Sequence, residues 1–176
     1  FGRDFLRWGP GYHGALLVSD DAAPFDLVRL TARLGPVNAD WFTASISDTE
    51  KSGTVKKYLS ALRLEGKIGQ KLKWGAAQAV LYGGRPMEAL HTNPLMLYVF
   101  SQHIIGKDDN LFWSADVSFD VTKNINVYGE GLIDDIKVWE KLPNSLAYLS
   151  GINWVEPLGI PSSGFRIEWA QTGKRV

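Results

Sequence analysis

Three histidines, His13, His91 and His103, and three acidic doublets, Asp20-Asp21, Asp108-Asp109 and Asp134-Asp135, are the residues of this chain most suited to chemistry. The histidines form neither a His-x-x-x-His pair nor a His-Glu-x-x-His motif, so their spacing does not describe a zinc enzyme. The doublets have the chemistry to bind calcium or to serve as a glycosidase carboxylate pair. Solvation of loops is the alternative use of the same residues. No cysteine is present, which removes thiolate metal sites, cysteine nucleophiles and disulfides. Gly-x-Ser-x-Gly, the commonest esterase signal, is absent. Residues 8–14 read W-G-P-G-Y-H-G, but no Gly-Lys-Ser/Thr follows, so this is no phosphate cradle. A tight turn with glycine at unusual backbone angles is the better reading. The expectation is a protein that is not an enzyme and holds no cofactor and no metal.

The elements around these residues are strands. Residues 111–120 read L-F-W-S-A-D-V-S-F-D. Leu111, Trp113, Ala115, Val117 and Phe119 share one parity; Ser114, Asp116, Ser118 and Asp120 share the other. Side chains alternate faces along a strand, so this run has an apolar and a polar face. It is also long: soluble strands mostly run about 5–6 residues, whereas a tilted strand crossing a bilayer needs about 9–11. Similar runs occupy 26–34, 38–47, 57–65, 71–82, 125–134, 145–155 and 164–170. In the strand at 71–82, Gln78 interrupts the apolar side.

The connections at 35–37, 66–70 and 121–124 are short and that at 156–163 moderate, whereas 49–56, 83–110 and 135–144 are longer. Short turns at one rim and long loops at the other are the habit of bacterial outer-membrane barrels. Tyr58, Trp74, Tyr82, Phe119 and Trp154 lie near strand ends, where interfacial girdles or ordinary packing would place them. The long connection contains P-L-M-L-Y-V-F-S-Q-H-I-I-G, read as a short helix from Pro94 to Gly106 that covers or blocks the barrel mouth. The expected fold is therefore all-β: an antiparallel meander of about seven or eight long strands, part of a transmembrane outer-membrane β-barrel, with a short helical segment in a long loop. Residues 1–176 are expected to be one partial barrel domain, an internal fragment of a larger barrel, because the sequence starts at Phe1 without a start methionine or signal peptide.

Composition limits the partners. Lys and Arg total 19 and Asp and Glu 19, so no basic field argues for nucleic acid. The mean hydropathy of −0.11 is compatible with a barrel, half of whose wall faces water. Arg29, Arg33, Arg63, Glu65, Lys71, Lys73, Asp116, Glu130, Arg166 and Glu168 share the inward parity as a mixed-sign set. Such a set suits internal ion-pair networks better than a strongly selective pore.

Residues 8–25, W-G-P-G-Y-H-G-A-L-L-V-S-D-D-A-A-P-F, resemble a segment of the Wzi-type capsule assembly proteins. K-Y-L-S-A-L-R-L-E at 57–65, A-V-L-Y-G-G-R-P at 79–86 and N-P-L-M-L-Y at 93–98 continue the likeness, in order, to about residue 135. Asp21 stands where the family often has Asn, and Leu62 where it often has His. The resemblance implies a large outer-membrane barrel with an occluded mouth. It also implies a lectin-like role in holding or organising capsular polysaccharide in the bacterial outer membrane. Expected partners are capsular or other surface polysaccharide, outer-membrane lipid and the capsule export machinery. The resemblance carries over no catalytic residues and points to the long-loop rim for glycan contact. Trp8, Tyr12, His13, Asp20, Asp21, Arg85 and His91 are the expected polysaccharide-binding residues. Aromatic faces suit sugar C–H surfaces, and carboxylates or Arg suit hydroxyls or acidic sugars.

A porin-like outer-membrane channel shares the wall physics and is the first alternative. A soluble β-sandwich would need a second sheet over the apolar faces. A glycan-processing enzyme would need an acidic pair to act as a catalytic couple.

Overall fold

The computed structural model describes residues 1–50, 53–98, 100, 109–134 and 145–173. Nine strands follow one another in sequence and in space: β1 Gly2–Asp4, β2 Phe25–Leu34, β3 Val37–Glu50, β4 Gly53–Ile68, β5 Leu72–Gly83, β6 Asn110–Asp120, β7 Ile125–Asp134, β8 Ser145–Val155 and β9 Gly164–Thr172. Every neighbouring pair is antiparallel. A 3-10 turn, Pro157–Gly159, lies between β8 and β9. Eight of the nine strands coincide with the alternating runs of the sequence. The exception is β1, three residues long, too short to show alternation.

The expected transmembrane outer-membrane β-barrel is not formed, because the sheet is open: β1 and β9 are its two ends, and each has a single neighbour. Closure would require hydrogen bonds between the two end strands. The barrel implied by the family resemblance is corrected on the same ground, and the porin alternative depended on that closed wall. The β-sandwich fares no better, since the described strands all belong to one sheet. The long loop expected at 49–56 is also corrected. The ladder runs on through Asp48↔Val55, Thr49↔Thr54 and Glu50↔Gly53, leaving a two-residue connection.

The register places Arg29, Arg33, Arg63, Glu65, Lys73, Asp116, Glu130, Arg166 and Glu168 on one face. That face lies under residues 5–24. Residues 5–24 leave the sheet as a strap, closed on itself by a bridge between Trp8 and Val18, and lie across it. Leu6, Trp8 and Val18 pack with Leu27, Phe42, Ala44, Ala61, Ala77 and Ala79 in a buried cluster. Full burial of a side chain like Phe42 contributes about 1.5–3 kcal/mol. On β6 the consequence runs against the sequence pattern, for Ser114 and Asp116 are buried while Ala115, Val117 and Phe119 are exposed.

On the opposite face, part of the 84–100 segment packs over Val80, Tyr82 and Leu111 through the fully buried Tyr98. The helix expected from Pro94 to Gly106 is helical at Tyr98 and Phe100 only, among the described residues; 101–108 and 135–144 lie outside them. The segment covers the sheet face rather than a barrel mouth.

Candidate functional site

The W-G-P-G motif shapes the strap. Trp8 is 4% exposed, stacks edge-on against Phe42 with centroids 5.1 Å apart, and donates its indole N–H to Asp40 at 3.0 Å. Asp40 is in turn held by Arg29 through two hydrogen bonds of 2.8 and 2.7 Å. Gly9 has φ +138°, and a Cβ there would run into the Glu130 carboxylate. Only glycine meets both demands. Pro10 lines a cleft of about 230 Å³ between strap and sheet.

Two carboxylates fasten the strap. Glu130, 3% exposed, accepts the Leu16 N–H at 3.1 Å through Oε1, while its Oε2 lies against Gly9 with no hydrogen-bond donor. Burial, supported by nearby Asp116, outweighs the Leu16 amide and Arg63 and pushes Glu130 up to about 7. Glu168 on β9 accepts the Tyr12 and His13 N–H groups at 2.6 and 3.1 Å and the Tyr128 hydroxyl at 2.7 Å. Burial opposes ionisation of Glu168, but these donors win and hold it below the ordinary carboxylate value. Tyr128 moves the other way, up to about 12, through burial first and the Glu168 carboxylate second.

Above Glu168 the strap presents an exposed aromatic. The Tyr12 ring is 56% exposed and meets His13 edge-on at 5.1 Å. The Arg166 guanidinium lies 3.4 Å from its centroid. A cation against the ring fixes its orientation and leaves it accessible.

Beneath the cleft, Arg63 of β4 reaches across β5 to Asp116 of β6 with bonds of 2.6 and 3.0 Å, and its Nε donates to Glu65 at 3.0 Å. The path crosses Gly75, where a Cβ would collide with the guanidinium. This triad is the ion network expected of the mixed-sign face.

The seven residues singled out from the sequence do not form one patch. Tyr12 and His13 are adjacent and exposed, and Trp8 is buried beneath the same strap. Asp20 and Asp21 lie exposed at the strap's other end, Asp20 3.6 Å from Arg7 and Asp21 held by Ser19. Arg85 and His91 are on the opposite face, joined through Asp109 at 2.6 and 3.0 Å. Burial would raise Asp109, but Arg85 and His91 prevail and hold it low. His91 is fully buried and packs at 4.7 Å on Tyr82. Glu130, Glu168 and Asp116 belonged to the inward set by parity, yet nothing in sequence marked which of them would meet the strap. Gln78 did carry a signal. The break it makes in the apolar side serves the 84–100 segment, accepting the Tyr98 N–H and donating to the Met96 carbonyl, both at 3.0 Å.

Residues 1–175 match the family described as capsule assembly protein Wzi. The chain belongs to that family. Neither a curated protein nor a solved structure matches it. Family membership agrees with the W-G-P-G resemblance, and it fits a role in capsule or polysaccharide handling. Among the described residues no group of three or more His, Cys, Asp or Glu could hold a metal ion, and no helix is long and apolar enough to cross a membrane.

Proposed function

We propose that this member of the Wzi family binds capsular polysaccharide without turning it over, using the exposed side of the strap. The observation that carries the reading is the Tyr12 ring, open on the surface yet held by Arg166 and by the Glu168 bonds to its backbone. A fixed aromatic face offers sugar C–H surfaces a partner at small entropic cost. His13 beside it and Asp20 and Asp21 at the strap's far end supply groups for sugar hydroxyls. In this reading Trp8 shapes the strap from below, while Arg85 and His91 secure the opposite face. Operation at the bacterial outer membrane, contact of exposed apolar residues such as Leu30 and Ile167 with its lipid, and cooperation with capsule export machinery belong to the same proposal.

A repeating polymer engages many weak sites and gains by avidity, so one substitution has a modest effect on the cell. The test is capsule retention, measured as polysaccharide shed into the medium by cells carrying Tyr12→Ala with His13→Ala. Shedding should rise while the protein remains folded and at normal level. Unchanged shedding would reject the strap as the contact. Trp8→Ala is the contrasting variant, expected to lose the strap's packing and hence protein stability.

A further inference from the structure

From the cleft under the strap we infer a subsite for an acidic sugar, its carboxylate bridging the ammonium groups of Lys67 and Lys73. The inference rests on the polysaccharide reading above and names the class of sugar. Lys67 and Lys73 are directly opposite each other on β4 and β5. Like charges so placed repel, and an anion between them reverses the sign of the interaction. Both side chains are exposed and line the cleft. Among the described residues neither has an ion-pair partner, whereas the third cation of the lining, Arg63, is already committed to Glu65 and Asp116. The cleft thus contains a neutralised network at its floor and two uncommitted positive charges at its edge.

Its other wall belongs to the strap. Gly9 and Pro10 line it, so the subsite borders the element that carries Tyr12. The volume of about 230 Å³ accommodates a sugar ring. Its apolar lining is Pro10 and the Trp74 ring, a flat face suited to a sugar's C–H surface, with no Leu, Ile, Val, Met or Phe to receive an acyl chain. Asn38 and Glu65 offer an amide and a carboxylate to ring hydroxyls.

The experiment titrates the intact purified protein with polygalacturonate, a linear polymer bearing carboxylates, and in parallel with neutral dextran. Polygalacturonate should bind with an affinity that falls as salt is raised, and dextran should not compete. Lys67→Gln with Lys73→Gln, both at exposed positions, should weaken binding about tenfold, since two close charge contacts are lost. Glu65→Gln should tighten it by removing a negative charge from the lining while keeping an acceptor oxygen for a ring hydroxyl. Tyr12→Ala should leave the salt dependence unchanged, so failure of the Tyr12 platform and failure of this subsite are read on different variants. Equal binding by the double lysine variant overturns the inference, as does equal binding of dextran. Lysine-dependent binding to phosphatidylglycerol vesicles without polygalacturonate binding would overturn it in favour of a lipid site.

Discussion

Two segments leave the sheet, cover its opposite faces, and are fastened by different chemistry. The strap is hung from acidic side chains. Glu130 and Glu168 accept its backbone N–H groups, and Asp40 accepts the Trp8 indole. The 84–100 segment is held by a side-chain amide, Gln78, and by a buried cluster in which Asp109 joins Arg85 and His91. The second arrangement pairs its buried carboxylate with a guanidinium and an imidazole. The first leaves Glu130 buried with one oxygen unanswered. The strap therefore loses stability as the buried Glu130 carboxyl ionises, whereas the 84–100 segment depends on Asp109 staying ionised beside its partners.

The largest expected effect breaks the paired side. Asp109→Ala strands Arg85 and His91 without their carboxylate, and removing one partner of a buried pair costs about 3–5 kcal/mol. Urea unfolding should show that loss, and limited proteolysis should cut first within 84–98. A loss below about 1 kcal/mol would mean that Glu88, 3.2 Å from Arg85, replaces Asp109.

Next in size is Glu130→Gln, which sharpens the contrast by stabilising. The folded-state pKa of about 7 lies above the ordinary 4.5. Between these values the folded protein keeps a proton that the unfolded chain has released, so stability falls as pH rises through that window. The glutamine removes this dependence. It should be more stable than the original by about 2–3 kcal/mol at pH 8 and no more stable at pH 4. Urea titrations at the two pH values decide it. A gain that is the same at both would attribute the effect to packing against Gly9 and not to the proton.

The smallest is Gln78→Leu. It restores the apolar parity of β5 and removes both hydrogen bonds to the 84–100 segment, leaving buried backbone groups unmet at a cost of about 1–2 kcal/mol. Hydrogen exchange at the Tyr98 amide should accelerate while the amides of the strap do not change. Faster exchange on both faces would show that the two coverings unfold together.

Strand identity, parity and hairpin order could be read from the chain because they are local. Alternation over ten residues decides which side chains share a face, and Gly35, Gly69 and the 121–124 connection decide where the chain turns. Sequence also singled out W-G-P-G, and the demand at Gly9 explains why glycine belongs there. Gln78 stood out for the same local reason, as a polar residue on the wrong parity.

Tertiary structure alone decided which segment covers which face, which charges meet, and that the sheet stays open. Alternation says that two faces differ but not what lies against either, so the polar face of β6 became the buried one once the strap crossed it. Arg63 meets Asp116 only because β4, β5 and β6 adjoin and Gly75 lets the guanidinium pass. Trp8, an apparent sugar-stacking residue by type, is buried because Phe42 and Asp40 await it from 34 and 32 positions away. Contacts over such separations are set by chain topology, and no short-range pattern encodes them.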